Sequence, residues 1–141
     1  MKKSFILLTL GAVMVAFSAC NLFGGGKDTS FSEGNLIGTW QEKGTEAFVC
    51  FTTERDSTAA YKYGYEWNEA EDVFPEDLVK YGNGWFKWKL VKADLTEIHL
   101  MDNSGAEIPK VYTVTRLTDT DLEYKDDFGV KHAFSKVVSK K

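Results

Sequence analysis

The chain has 141 residues, two cysteines, a net charge of −4 and 43% hydrophobic residues. That is one domain of ordinary size, long enough to build a core without staples. An acidic chain with no basic block makes a poor partner for nucleic acid, and it gains nothing from an anionic membrane surface.

The N-terminus carries its own message. Lys2 and Lys3 are followed by an uncharged, largely apolar run from Phe5 to Phe17, then by the small residues Ser18 and Ala19 before Cys20. This order predicts a secretory signal over residues 1–19. The apolar run is shorter than the about 18 residues that a membrane span needs. Phe17-Ser18-Ala19-Cys20 resembles a lipobox, with Phe17 where Leu is more usual. The resemblance implies cleavage before Cys20 and lipidation of its thiol. One acyl chain holds a protein only marginally, at about 0.8 kcal/mol per buried methylene, so firm anchoring needs two or three. Residues 20–34, with Gly24, Gly25, Gly26, Asp28, Ser30 and Ser32, read as a flexible tether spanning about 20 Å. Asn21 is not Asp and no acidic cluster follows Cys20. The expected location is therefore the cell envelope, at the outer membrane facing the periplasm. With Cys20 lipidated, Cys50 stands alone. Its neighbours Phe48, Val49 and Phe51 point to a buried small hydrophobe rather than a reactive thiol.

Beyond residue 35 the sequence is dominated by short runs of Val, Ile, Thr, Tyr, Phe and Trp separated by turn residues, which predicts an all-β sandwich or barrel. In chain order the expected strands are Ile37–Glu42, Ala47–Thr53, Ala59–Trp67, Gly84–Val91, Glu97–Met101, Lys110–Leu117, Asp121–Lys125 and Val130–Val137. Asp102-Asn103-Ser104-Gly105, Asp119-Thr120 and Asp126-Asp127-Phe128-Gly129 have turn chemistry, and none has the spacing of a calcium loop. The segment Pro75–Gly82 interrupts the rhythm. It has Pro at its start, acids in its first turn, Lys80 in its last and Gly82 beyond, which predicts a short helix. It is either a plain surface excursion or a flap over one barrel end.

Alternation assigns faces. Tyr61, Tyr63, Tyr65 and Trp67 are expected to point inward, opposite Lys62, Gly64 and Glu66. Phe86, Trp88 and Leu90 are expected inside, as are Ile98 and Leu100, Leu122 and Tyr124, and Val130, His132 and Phe134. His99 is then outside. Aromatic rings with polar tips suit the wall of a cavity, because a buried hydroxyl or indole N–H seeks a partner. An aromatic core with hydroxyls reaching the barrel ends is the plainer alternative.

Leu36-Ile37-Gly38-Thr39-Trp40 at the first strand, and the closing runs Tyr112–Leu117, Asp121–Tyr124 and His132–Val137, resemble the lipocalin-like (calycin) domains of many Bacteroidota lipoproteins. The resemblance spans residues 35–137 and implies an eight-stranded antiparallel up-and-down barrel, whose interior just admits side chains or one small ligand. It implies that Gly38 lets the chain bend at the barrel base and that Trp40 plugs that base. It also implies an Arg across the Trp, a role for which Arg116 is the candidate.

Chemistry-bearing patterns are sparse. A Cys50–His132 pair would need contact and an orienting third group; His-x-His and Cys-x-x-Cys metal spacings are absent from the sequence. No enzyme, cofactor or metal is expected. The residues expected to contact a ligand are Tyr61, Tyr63, Tyr65, Trp67, Phe86, Trp88 and His132. The leading expectation is an envelope lipoprotein, anchored through Cys20, that binds a small apolar or amphipathic ligand. The rival is an interaction module with a filled barrel that meets an envelope protein through outer residues such as Trp85. Carbohydrate stacking on exposed aromatics is a third reading.

Overall fold

The computed structural model describes residues 30–101 and 106–138. The expected signal segment, Cys20, most of the expected tether and the expected Asp102–Gly105 turn lie outside the described residues. From Phe31 onward the chain forms one compact unit. A single helical turn, α1 (Glu33–Leu36), is followed by eight strands: β1 (Gly38–Glu42), β2 (Ala47–Arg55), β3 (Lys62–Asn68), β4 (Trp85–Val91), β5 (Asp94–Leu100), β6 (Glu107–Leu117), β7 (Asp121–Lys125) and β8 (Lys131–Lys136). Each strand pairs antiparallel with the next, and β8 returns to β1, so the sheet is a closed barrel. Closure removes both sheet edges and with them the template for edge-to-edge association.

Connections alternate between two ends. The base carries α1 and the β2–β3, β4–β5 and β6–β7 turns, and the mouth carries the other four loops. At the base Trp40 is fully buried and donates its indole N–H to the Leu36 carbonyl at 2.9 Å. Lys136 of β8 lies over the Trp40 ring, its Nζ 4.6 Å from the centroid, and donates to the Ile37 carbonyl at 3.0 Å. Gly38 has φ +132°, and a Cβ there would sit 3.1 Å from Lys136 Nζ. The cation on Trp40 is therefore Lys136, not Arg116. A β-bulge between Val114 and Arg116 lets Val114 and Leu117 both point inward and turns Arg116 to solvent, 3.9 Å from Asp121. The expected tether also ends earlier than residue 34. Phe31 donates its backbone N–H to the Lys92 carbonyl and packs against the core, and Leu36 is fully buried.

The core above this base consists of Val49, Phe51, Phe86, Trp88, Leu95, Val114, Leu122, Tyr124 and Phe134. Phe51 meets Phe86 and Trp88 edge-on, with ring centroids 5.6 and 5.3 Å apart. Such contacts add about 0.5–1.5 kcal/mol each beyond the burial of area.

Strand β3 runs in the opposite phase to the one expected. Lys62, Gly64 and Glu66 face the interior, and Tyr61, Tyr63, Tyr65 and Trp67 face out. The reason lies in β4. Gly64 is paired with Phe86, and a Cβ on Gly64 would come within 2.6 Å of the Phe86 ring and of the Cys50 carbonyl oxygen. Phe86 fills the interior only because the residue opposite has no side chain. Tyr65 is paired with Trp85, so both take the outer face. A one-residue difference in phase moves every side chain of a strand to the other face. Strand β5 is likewise inverted: Leu95, Glu97 and His99 are buried, and Ile98 and Leu100 lie on the outer side. Val130 precedes β8 and is exposed.

The β3–β4 connection has no α-helix. Where a short helix was expected, a 3-10 turn spans Pro75–Asp77 and ends at Leu78, which returns to an extended conformation. A second 3-10 turn, Glu69–Glu71, is started by the Asn68 side chain accepting from the Ala70 N–H.

Candidate functional site

Among the cavities at the mouth, two adjoin under the β3–β4 side. One, of about 160 Å³, is lined by Glu42, Ala47, Phe48, Val49, Glu66, Tyr112, Tyr124, His132 and Phe134. The other, of about 370 Å³, runs under the β3–β4 connection past Trp67, Val73 and Leu78, and shares Ala47, Phe48 and Glu66 with the first. The inner cavity sets charged groups and phenols beside Ala47, Phe48, Val49 and Phe134, and the rim groove sets Phe48, Trp67, Val73 and Leu78 beside Glu66, Asn68, Glu71 and Asn83.

His132 sits between two carboxylates. Its Nδ1 is 3.2 Å from Glu42 and its Nε2 3.2 Å from Asp126. Burial alone lowers its pKa, but the hydrogen bonds to Asp126 and Glu42 outweigh that, and the net shift is upward. Both ring nitrogens face acceptors, so the protonated ring donates to both carboxylates. Asp126 in turn accepts from the Val130 and Phe128 N–H groups, and these backbone bonds with His132 hold its carboxyl below the ordinary range. The expected Asp126–Gly129 turn is thus a turn in structure, and its aspartate also fixes a residue of the mouth.

A second histidine repeats the arrangement. His99 Nε2 is 2.8 Å from Glu97 and its Nδ1 3.7 Å from Glu66, and the ring stacks on Phe86. Glu97 is only 2% exposed, and its Oε2 has no hydrogen-bond partner within the protein. Burial pushes its pKa up, opposed by His99 and reinforced by the charge of Glu66. The rings of Tyr112 and Tyr124 lie 4.4 Å apart. Burial, and then the Glu97 charge, raise both phenols above their ordinary value, so they stay neutral donors.

Of the seven residues expected to contact a ligand, only His132 lines the inner cavity, and Trp67 borders the rim groove. Phe86 and Trp88 are inside as expected but fully buried in the core. Tyr61, Tyr63 and Tyr65 are corrected to the outer surface. There Phe48, Trp67, Tyr65, Trp85, Tyr63 and Tyr81 form a continuous ladder of ring contacts, from a flat Phe48–Trp67 stack at 5.1 Å to Tyr63–Tyr81 at 4.4 Å. Tyr81 also donates to Glu54. Cys50 lies on this side, half-buried rather than enclosed. It contacts Tyr65, whose pKa is pushed up to about 12 by burial and by the thiol. Cys50 and His132 occupy opposite faces of the sheet and form no pair.

The residues that sequence reasoning missed are Glu42, Glu66, Glu97, His99, Tyr112 and Tyr124. One signal was available: in Lys62-x-Gly64-x-Glu66 a glycine stands opposite the large residue of the next strand, which marks that face as the crowded one. No family model, curated protein or solved structure matches this chain, so the reading of the site rests on its own geometry.

Proposed function

We propose that the protein is a lipid-anchored, lipocalin-like binding protein of the cell envelope rather than an enzyme, and that it takes a small amphipathic ligand at the barrel mouth. The observation that carries this reading is the pair of adjoining cavities, one inside the barrel with charged and phenolic groups beside Phe48, Val49 and Phe134, the other along the rim with a more apolar wall. Small-ligand sites are typically concave, largely apolar and supplied with a few oriented polar groups. The polar inner wall favours an amphipathic ligand over a wholly apolar one. Its apolar part would lie against Phe48, Trp67, Val73 and Leu78, and burial would supply most of the affinity. The lipidated Cys20 would hold the domain at the outer membrane, facing the periplasm.

The test is a native mass spectrum of the full chain purified from a bacterial envelope. Extra mass beyond the lipid anchor, lost on denaturation, is the expected result. An unloaded chain that shows no shift with a panel of amphiphiles overturns the reading.

One observation favours the second reading, an interaction module: the aromatic ladder on the outer face of β2, β3 and β4. Tyr and Trp are enriched at protein interfaces. On that reading Trp85→Ala abolishes capture of an envelope partner, whereas on the first it leaves ligand binding intact.

A further inference from the structure

We propose that the barrel mouth takes a linear, neutral ligand lying across it, with an internal amide at its middle and an apolar arm on either side; this rests on the ligand-binding reading above and names its ligand class.

A third cavity, of about 310 Å³, lies against β6 and the β7–β8 turn. It shares Tyr112 and His132 with the inner cavity. The rim groove, along β2 and β3, shares Ala47, Phe48 and Glu66 with the same inner cavity. Groove and third cavity have no lining residue in common, so the inner cavity is the link between them. The three form a trough across the mouth. A ligand has no path down the barrel axis instead, because Phe51, Phe86, Trp88 and Leu95 are fully buried there and fill the interior.

The chemistry changes along the trough. One end offers Trp67, Val73 and Leu78, and the other offers Val111 and Phe128. The charged groups of the far end are two of each sign, Lys110 and His132 against Asp126 and Asp127, so they select for no net charge. Between the ends stand an acceptor and a donor. Glu66 is half exposed and lies 3.7 Å from His99 Nδ1, too far for a hydrogen bond, which leaves its carboxylate free to accept. Tyr112 is held neutral and can donate. An internal amide brings one N–H and one carbonyl, which match this pair. An amphiphile with one arm fills one end of the trough and leaves the other empty.

Phe128 supplies a separate observation. It is 90% exposed, yet its turn is fixed: Asp126 Oδ1 accepts from the Phe128 and Val130 N–H groups at 2.9 Å each. A large apolar ring is thus held in water at the edge of a cavity, and a ligand arm that covers it removes that surface from solvent.

The experiment uses two ten-carbon isomers, N-pentylpentanamide with its amide in the middle and decanamide with its amide at one end. Each is titrated calorimetrically into the full chain held in nanodiscs of phosphatidylcholine, with empty discs as the blank. The expected result is binding of N-pentylpentanamide at least about tenfold tighter, the worth of about two further buried methylenes. Phe128→Ala should weaken N-pentylpentanamide several-fold and reduce its advantage over decanamide. Val73→Ala should weaken both isomers, and Arg116→Ala, far away at the base, should change neither. Phe128 is too exposed for its loss to unfold the barrel, and a melting curve on each variant verifies this. Equal or tighter binding of decanamide overturns the two-armed ligand while the ligand-binding reading stands. So does N-pentylpentanamide binding that is indifferent to Phe128→Ala. Binding of neither isomer overturns the ligand-binding reading, and the inference falls with it.

Discussion

The two ends of this barrel are built on opposite principles. At the base the buried polar groups around the plug are partnered: the Trp40 N–H is taken by Leu36, the Lys136 ammonium by a ring face and the Ile37 carbonyl, and Lys62 by Glu33 at 2.9 Å. At the mouth, carboxylates outnumber the cations that face them, and one buried oxygen of Glu97 is left unmatched. Satisfied polar groups fix a structure, whereas unsatisfied ones store a penalty that a bound partner can relieve. The base is where stability should be lost on mutation, and the mouth is where binding should be.

That contrast breaks most visibly at Trp40. Trp40→Ala empties the base plug and removes a buried hydrogen bond, at a cost of about 3–5 kcal/mol, read as a fall in the denaturant midpoint. A loss below about 1 kcal/mol would mean that the base is not the stability centre. Gly64→Ala comes next. Its methyl collides with Phe86 and with a backbone oxygen, and should cost about 1–3 kcal/mol. The double variant with Phe86→Leu should recover part of that loss, because a smaller side chain then faces the new methyl. If it recovers nothing, the inward phase of Gly64 is in error.

Lys136→Met keeps the aliphatic stem and removes the charge over Trp40. A loss of about 1 kcal/mol is expected in thermal melts, against less than about 0.5 kcal/mol for Arg116→Ala. The reverse order would restore Arg116 to the role given to it by sequence resemblance. The smallest effect belongs to the mouth. The His132 pKa is raised, so its contribution is fully present below its ordinary value of 6.5 and lost as pH rises through the folded value. Asp126 is shifted downward, so its contribution holds above 3.8 and fades as pH falls through its lower folded value. Stability should therefore decline modestly, by under about 1 kcal/mol, from slightly acidic to slightly alkaline pH. His132→Gln should flatten that slope, and an unchanged slope would show that the two carboxylates do not grip a charged ring.

Much of the architecture is legible without coordinates. β-branched and aromatic runs broken by turn residues define strands because those side chains suit a pleated, half-buried surface, and all eight appear within a few residues of their expected limits. The inward phases of β4, β7 and most of β8 are legible for the same reason: on Trp88, Tyr124 and Phe134 the apolar set and the interior set coincide. They diverge on β3 and β5. A barrel this narrow holds a limited volume, and its mouth is lined by polar side chains. Gly64 goes inside because Phe86 needs the room, while Glu66, Glu97 and His99 go inside because a polar mouth tolerates them. The aromatic side chains they displace stabilise one another outside, ring on ring, across β2, β3 and β4.

The sequence by itself determined the eight strands, because each is written in local pattern and residue type, while the up-and-down barrel and the Gly38–Trp40 base were what the family resemblance implied. Only the tertiary structure decided which face of β3 and β5 is the interior, which cation covers Trp40, and that carboxylates rather than tyrosines and tryptophans surround the cavity. Those choices depend on which residues the register places opposite one another and on how much volume remains between them, and neither quantity is local to any strand.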